Sequence, residues 1–304
     1  MPLAILLRVL TQNIFPAFVV IGVGFALDRA FRPHVQSISR VALYALSPAL
    51  VFHSLVSSQL EGELIGRIAG FTLVVSAAML FIGLATSRAA GWEQPKASAF
   101  TLSAMLTNSG NFGFSVILFA YGEAGLQIAV IFFVTSAIWA NTVGAFIAAR
   151  SQGAWRQSAA GVLRLPVLYA SLLALLLRFL GYTPPQELMR PIGTMGQAAV
   201  PVMLLVLGMQ LSRSQLRNER GAVLLAAFCR LVVSALVALA LAGPFGLEGL
   251  ARRVCIVEAA TPAAVTGAIL AAEFGARPDL VASAIFISTL ACALTLTVLI
   301  AYLG

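Results

Sequence analysis

Polar and helix-breaking residues interrupt two apolar segments of this chain at corresponding places, and these residues are the best suited to bind a solute. The first interruption is residues 107–113, Thr-Asn-Ser-Gly-Asn-Phe-Gly, and the second is residues 260–262, Ala-Thr-Pro. Amide and hydroxyl side chains can hydrogen-bond a ligand, and glycine lets a ligand approach the backbone. Irregular backbone at membrane depth is tolerated only where it is buried in protein or lines a cavity, so paired interruptions predict a transporter's binding site.

The helix half that follows the first interruption is expected to begin near Phe114, and its free N–H groups would favour an anion such as a carboxylate. Pro262 cannot donate to Glu258 and disfavours helical geometry at Thr261, so the second segment should open there. The alternative for the first segment is a continuous, glycine-kinked helix packed on its neighbours. The predicted substrate-binding residues are Asn108, Ser109, Gly110, Asn111, Pro262 and Thr266.

Glu258 is the one carboxylate that the sequence places well inside an apolar span, four residues before Pro262. An ionisable group inside a membrane is costly and suggests function, and this one could coordinate a cation or take up a proton. The alternative is a structural ion pair with Arg230. Hydroxyl and amide groups elsewhere could complete a coupling site or bond back to their own helix carbonyls. They are Thr261, Thr135, Ser136, Asn141, Ser288 and Thr289.

The composition indicates a membrane protein, because 60% of the 304 residues are hydrophobic, 10% are charged and the mean hydropathy is +0.97. A span needs about 20 predominantly apolar residues. The chain offers ten such stretches joined by short polar segments, which predicts an all-α polytopic protein. The stretches lie near residues 10–30, 36–58, 64–88, 95–120, 125–149, 159–180, 187–210, 221–243, 250–272 and 279–302.

The basic residues indicate topology rather than a nucleic-acid partner. The net charge is +8 and the pI is near 10.3, but no cluster of Lys and Arg is interleaved with aromatic residues. Twelve of the 19 Lys and Arg residues lie in joints that follow odd-numbered spans and six lie on the other side, Arg230 being inside a span. The positive-inside rule then places the twelve in the cytoplasm and both termini outside.

The two halves of the chain resemble copies of one unit. A shift of 153 positions brings Pro48 onto Pro201, Tyr121-Gly122 onto Phe274-Gly275, and Phe133 onto Phe286. Five spans per half is an odd number, so the second copy must enter the membrane in the opposite orientation. The sequence therefore predicts two inverted five-helix repeats, residues 1–150 and 151–304, an arrangement that many secondary transporters use.

The chain lacks the motifs of an ATP-driven pump or of a hydrolase: it has no Walker loop, no G-x-S-x-G elbow and no H-E-x-x-H. Its two histidines and three cysteines show no metal-binding or disulfide spacing. We therefore expect no enzymatic activity and no cofactor or bound metal, apart from a coupling ion. The apolar start of the chain is interpreted as the beginning of the first span rather than a cleaved signal.

Three stretches of this sequence resemble the auxin efflux carrier family of membrane transporters. They are residues 46–52, Leu-Ser-Pro-Ala-Leu-Val-Phe; residues 107–113 with the following Tyr121-Gly122; and residues 258–263, Glu-Ala-Ala-Thr-Pro-Ala. The resemblance implies a scaffold of helices 1, 2, 6 and 7, a transport domain of helices 3–5 and 8–10, and crossing broken helices 4 and 9. It also implies homodimers in a bacterial inner membrane and substrates such as auxin-like or malonate-like carboxylates.

The sequence departs from this family in one place that concerns the site. Asn108-Ser109 stands where a proline often marks the crossover in the fourth helix, so the position of that break is left open. A fold similar to the family's occurs in the bile-acid sodium symporters. Glu258 and Asn108 of this sequence match, in position and type, residues that hold sodium in those symporters. The auxin carriers are not generally considered sodium-coupled, so sodium and proton both remain candidates for the coupling ion.

These observations together predict a secondary active transporter that moves a small organic anion by an elevator-type alternating-access mechanism. Its partners would be the anion and membrane lipid, without nucleic acid. Two alternatives stay open at this point. One is a membrane-embedded sensor or receptor that binds the same anion, and the other is a sodium-coupled carrier similar to the bile-acid symporters.

Overall fold

The computed structural model describes residues 3–150, 165–214 and 219–304, and its regular secondary structure in these ranges is helical throughout. We number the helical elements α1 to α11 in chain order. They are α1 Leu3–Phe31, α2 Val35–Val56, α3 Gly62–Ala89, α4 Gln94–Met105, α5 Ser109–Ala149, α6 Pro166–Phe179, α7 Gln186–Arg213, α8 Arg220–Ala242, α9 Gly249–Ala259, α10 Val265–Glu273 and α11 Pro278–Leu303.

Seven helices in the described ranges are long and apolar enough to cross a membrane, namely α1, α2, α3, α5, α7, α8 and α11. A further apolar helix, α6, is shorter, and the predicted start of its span near residue 159 lies outside the described residues. The prediction of an all-helical membrane protein is confirmed. The count of ten spans and the inverted repeat stay predictions.

Helix α5 is too long for a single crossing of a bilayer. Its 41 residues would extend for about 60 Å, whereas the hydrocarbon core of a bilayer is about 30 Å thick. Gly122 interrupts it with a φ of 66°, a left-handed conformation that glycine adopts without steric cost. The element thus covers the end of the predicted fourth span and all of the predicted fifth.

Proline residues account for irregularities in the first two helices. Pro16 in α1 follows a π-helical turn at Leu10–Ile14, and Pro48 in α2 follows a π-helical turn at Ala42–Leu46. A proline cannot donate to the carbonyl four residues earlier, so the regular α ladder cannot continue through these positions. The wider π turns are the local adjustments that accompany the missing bonds.

Helices α1 and α7 are packed in unusually close contact through two glycines. A Cβ at Gly24 would lie 2.2 Å from the Leu205 carbonyl oxygen, and one at Gly208 would lie 2.0 Å from the Ile21 carbonyl oxygen. Small residues let membrane helices approach in this way. An ion pair between Arg213 and Asp28, 2.6 Å, joins the carboxyl-terminal ends of the same two helices. Helix α2 also packs against α7, and α6 packs against α2.

The remaining helices form a second set of contacts around the two interruptions. Helix α4 packs against α3 and α11, α9 packs against α5 and α8, and α10 packs against α11. Large apolar side chains on the outside of the molecule, such as Leu172, Phe179 and Leu294, are exposed, as expected where the solvent is lipid. The two interrupted segments therefore lie inside a helical assembly, away from its apolar periphery.

Candidate substrate and coupling site

The structure places the two interruptions side by side and pairs them through their backbones. Thr107 and Ala263 form an isolated antiparallel β-bridge. The Asn108 N–H donates to the Pro262 carbonyl at 2.9 Å, and the Ala264 N–H donates to the Leu106 carbonyl at 3.0 Å. Extended backbone at the centre of a membrane protein needs such partners, because no water or lipid group can replace them. We call this paired region, together with the helix ends that adjoin it, residues 104–113 and 258–266, the crossover.

The structure locates the first break, whose position the sequence left open. Helix α4 ends at Met105, Leu106 is extended, and α5 opens with a π turn at Ser109–Gly113. The Asn108 carbonyl accepts from the Gly113 N–H at 2.9 Å, which closes this turn. The regular α-helical part then begins at Phe114, as predicted, but it continues from the π turn, which the sequence did not predict.

The glycines of this turn provide space instead of breaking the helix. A Cβ at Gly110 would lie 2.7 Å from the ring of Phe133, and a Cβ at Gly113 would lie 2.2 Å from Oε2 of Glu258. Each glycine thus admits a side chain from a neighbouring element. The glutamate of the second interrupted segment reaches the first turn of α5 only because residue 113 has no side chain.

Two threonines complete the backbone hydrogen bonding at the end of α9. The hydroxyls of Thr107 and Thr261 both donate to the carbonyl oxygen of Glu258, at 2.9 and 2.8 Å, and they also contact each other. The last carbonyls of a helix have no partner within it and must find one elsewhere. Thr261, a predicted coupling residue, thus serves this carbonyl in the structure, together with Thr107, which the sequence did not single out.

Arg230 is the largest buried side chain among the described residues, 2% exposed, and it binds the ends of both interrupted helices. Its guanidinium donates to the carbonyls of Ala104 and Met105, the last two residues of α4, at 3.1 Å each. It also donates to the carbonyl of Ala259, the last residue of α9. Ser234, one turn later in α8, donates to the same Ala259 carbonyl at 2.9 Å. The two helix ends that carry partial negative charge therefore converge on one arginine.

The predicted alternative of an ion pair between Glu258 and Arg230 is wrong. Both residues are described, and no ion pair joins them, because the guanidinium is occupied by three carbonyl oxygens. Sequence reasoning found the charge inside the span but not its partners. The sequence does carry a signal for such a contact, which the prediction did not use: a charged residue in an apolar segment, followed four residues later by a serine on the same face.

Glu258 is fully buried, and neither of its carboxylate oxygens has a hydrogen-bond partner in the described part of the chain. The amide nitrogen of Asn108, also buried, lacks a partner there as well. A bare carboxylate is costly in such surroundings, so Glu258 must either hold a proton or bind a cation. Within the described ranges no three His, Cys, Asp or Glu side chains converge as a metal site requires. A sodium ion would need Glu258 together with hydroxyl and carbonyl oxygens.

The other predicted residues divide into two groups. The Ser136 hydroxyl lies 2.9 Å from that of Ser109 in the opening turn of α5, and the Ser288 hydroxyl of α11 accepts from the Ala263 N–H at 3.1 Å. Thr135 bonds back to Ile131 of its own helix, as Asn141 does to Ala137. The structure therefore brings Ser136 to the crossover but gives Thr135 a partner elsewhere.

The two remaining side chains lie at the starts of the helices that follow the breaks. Asn111 is in the opening turn of α5 and Thr266 is the second residue of α10, and both are half-buried. The first N–H groups of a helix have no partner within it, and each such end carries about half a positive charge. The arrangement can attract an anion at the starts of α5 and α10, while Arg230 serves the negative ends of α4 and α9.

Comparison with known proteins shows the family of the chain. A family model described as "Membrane transport protein" matches residues 9–162 and 155–300. An uncharacterized transporter of Methanothermobacter thermautotrophicus is 27% identical over 287 residues, covering 92% of this chain and 94% of its own length. An uncharacterized transporter of Methanocaldococcus jannaschii is 24% identical over 264 residues, covering 84% and 85%.

The chain belongs to this family of membrane transport proteins, and the predicted membership of the auxin efflux carrier family is confirmed. Together with the apolar helices, this makes the protein an integral membrane protein of a transporter family rather than of an enzyme family. A likeness to the bile-acid sodium symporters is not among these findings, and it stays a prediction.

Proposed function

We propose that the protein is a secondary active transporter of a small organic anion, such as an auxin-like or malonate-like carboxylate, bound at the starts of α5 and α10. The observation that carries the proposal is the charge arrangement of the crossover. The two helix ends with partial negative charge are served by the Arg230 guanidinium. The starts of α5 and α10 carry partial positive charge, and the Glu258 carboxylate beside the first turn of α5 makes no hydrogen bond to it. When Glu258 holds a proton or a cation, these two helix starts favour a carboxylate.

In this proposal the polar residues at the crossover meet the substrate directly. Asn108 brings a buried amide nitrogen without a partner in the described residues, and Asn111 and Thr266 lie in the first turns of the two helices. Ser109, Gly110 and Pro262 shape the surrounding backbone. An amide donor and backbone N–H groups are the partners that a carboxylate requires.

Glu258 is the proposed coupling residue. Its carboxylate is buried and lies against the first turn of α5, within the region that would hold the substrate. Binding or release of a proton or a sodium ion at this carboxylate would change the charge beside the anion, which links the two events. Thr261 assists by donating to the Glu258 carbonyl, and Ser136 assists by bonding to the Ser109 hydroxyl.

We further propose that the chain has ten membrane helices in two inverted repeats and works by an elevator movement. Helices α1, α2, α6 and α7 would form the scaffold, and the elements around the crossover would form the transport domain. The support is the close glycine-mediated contact of α1 with α7, which holds two of the proposed scaffold helices together. The protein would work as a homodimer in a bacterial inner membrane, with both termini outside.

A sensor or receptor that binds the same anion without moving it is the competing proposal. A thermal-shift screen of purified protein against mono- and dicarboxylates, at several pH values with and without sodium, would first identify a ligand. Counterflow of that labelled ligand in proteoliposomes is then the decisive measurement. A carrier exchanges internal for external ligand, whereas a binding protein shows thermal stabilisation without counterflow.

Two asparagine substitutions make this experiment specific to the site. Asn108→Ala and Asn111→Ala should each weaken the affinity for the ligand by roughly tenfold, the loss expected for a hydrogen bond to a charged group. The concentration dependence of the ligand-induced thermal shift measures this affinity. Asn141→Ala is the matched control, because that amide bonds to Ala137 within its own helix. If no carboxylate stabilises the protein, the proposed substrate class is wrong.

A further inference from the structure

Arg230 holds a position in the fold that a metal cation could otherwise take. Its guanidinium contacts three backbone carbonyl oxygens, two at the end of α4 and one at the end of α9. Carbonyl oxygens gathered at the ends of broken membrane helices are the ligands that coordinate Na⁺ in transporters of other folds. The side chain is 2% exposed, so its charge acts in a medium where water screens it little.

The arginine offsets the negative helix ends at the crossover. Each helix end carries about half an elementary charge, so the ends of α4 and α9 together amount to about one negative charge. The guanidinium supplies one positive charge, and it cannot lose it under physiological conditions. With these two ends offset, and with Glu258 neutralised by a proton or a cation, the positive starts of α5 and α10 leave the site with a net positive charge.

The local structure of α8 is built to present this side chain. Arg230 lies in a π-helical turn, Cys229–Val233, and such turns often occur at functional sites because they redirect side chains. Ser234 donates both to the Arg230 carbonyl and to the Ala259 carbonyl, which ties the turn to the end of α9. The side chain is therefore fixed from its backbone to its tip.

We infer that Arg230 sets the charge selectivity of the crossover, as a permanent internal cation that occupies the carbonyl ligands of the broken helices and leaves the site selective for anions. The inference rests on the proposed anion transport and deepens it. Its consequence is that removal of the guanidinium converts an anion-selective crossover into one that binds a small cation.

Substitutions at residue 230 separate the charge of the side chain from its volume. Arg230→Lys keeps the positive charge, and Arg230→Met keeps much of the volume without the charge. We expect the lysine variant to retain carboxylate binding within about threefold in Kd, and the methionine variant to lose at least tenfold. If residue 230 only filled space, the methionine variant would bind as well as the lysine variant, and the inference would fail.

A second measurement needs no transported substrate, so its outcome is independent of the proposed function. All proteins in it carry Glu258→Gln, which removes the one carboxylate at the crossover that could bind a cation by itself. Thermal unfolding is followed in NaCl, LiCl and choline chloride. With Arg230 present, the three salts should give the same unfolding temperature, whereas Arg230→Gln should be stabilised by Na⁺ or Li⁺ over choline by several degrees.

Each outcome of this second measurement decides the matter. Equal behaviour of Arg230→Gln in all three salts, or sodium stabilisation of the protein that retains Arg230, would overturn the inference. If Arg230→Gln does not fold, Arg230→Met in the same background replaces it, with the same expected salt dependence. If the unaltered protein shows no carboxylate counterflow, the proposed transport is refuted instead. That result leaves the outcome of the salt measurement unaffected.

Discussion

The carboxylate of Glu258 lies directly against the Cα of Gly113, so that a Cβ at residue 113 would come within 2.2 Å of Oε2. The glutamate is the penultimate residue of α9, before the second interruption, and the glycine belongs to the first turn after the first interruption. This contact couples the ionisable group to the start of α5, where the anion is proposed to bind. It also requires that residue 113 has no side chain.

Gly113→Ala should therefore impair the protein more than an ordinary helix substitution does. The added methyl must displace the buried carboxylate, and overpacking of this kind costs about 1–3 kcal/mol. We expect at least tenfold slower uptake and a lower unfolding temperature. Gly66→Ala in α3 is the control, because a Cβ there has no neighbour within 4 Å. Wild-type uptake by Gly113→Ala would contradict the contact.

Glu258→Gln should abolish coupled uptake while preserving the shape of the side chain. The amide can neither take up a proton nor offer a charged ligand to a cation, so the driving ion has no binding group. Uptake of the identified carboxylate into proteoliposomes, with imposed pH and sodium gradients, provides the measurement. Full transport by this variant at every pH and sodium concentration would remove Glu258 from the mechanism.

The contact between α1 and α7 predicts a strong effect of two further glycines. Gly24→Ala and Gly208→Ala each place a methyl within about 2 Å of a backbone carbonyl on the partner helix, so the helices must separate. We expect a loss of about 1–3 kcal/mol or more in stability. Gly22→Ala in the same helix, where a Cβ meets nothing within 4 Å, should be nearly neutral in thermal unfolding. Equal unfolding temperatures for all three variants would refute this packing.

An ion-pair cluster outside the membrane spans predicts a pH dependence of stability. Glu219 pairs with Lys96 at 2.7 Å and with Arg277 at 3.1 Å, beside a cavity of about 420 Å³. The pairing with Lys96, followed by the charge of Arg277, holds the pKa of Glu219 below its ordinary value of 4.5. A lowered folded-state pKa means that stabilisation is complete above pH 4.5 and is lost as the pH falls through the lowered pKa.

Glu219→Gln should accordingly destabilise the protein at pH 7 by up to about 1 kcal/mol, the usual range for partly exposed pairs. The difference from the unaltered protein should shrink below pH 4.5 and in high salt. Thermal unfolding at pH 7 and pH 4 measures it. Glu123→Gln is the control, because that exposed carboxylate makes no ion pair in the described residues. A difference that grows as the pH falls would contradict the assigned pairing.

Cysteine labelling tests the predicted orientation. The three native cysteines are buried and should not react with a membrane-impermeant maleimide. Gln59→Cys lies in a joint predicted to be outside, and Glu93→Cys lies in one predicted to be cytoplasmic. Both positions are exposed. In intact cells the reagent should label Gln59→Cys and not Glu93→Cys, and the reverse result would invert the topology.

The sequence was sufficient to locate the helices and the second break. Apolar run length places most of the helix bounds within a few residues, and Pro262 marks a break because a missing N–H is a local property. The π turn that precedes Phe114 in α5 was not predicted, because nothing local shows that the Asn108 carbonyl bonds to the Gly113 N–H. The partners of Arg230 were missed for a similar reason: its acceptors are backbone carbonyls, which carry no signature in residue types.

The backbone pairing at the crossover has a consequence for how this family can evolve. Its hydrogen bonds run from the Asn108 and Ala264 N–H groups to the Pro262 and Leu106 carbonyls, and every amino acid supplies a carbonyl. If the proposed substrate site is correct, mutation of neighbouring side chains can alter which solute is recognised, while these backbone hydrogen bonds persist. Homologues with little sequence in common can therefore keep the same crossover and differ in the solute that they transport.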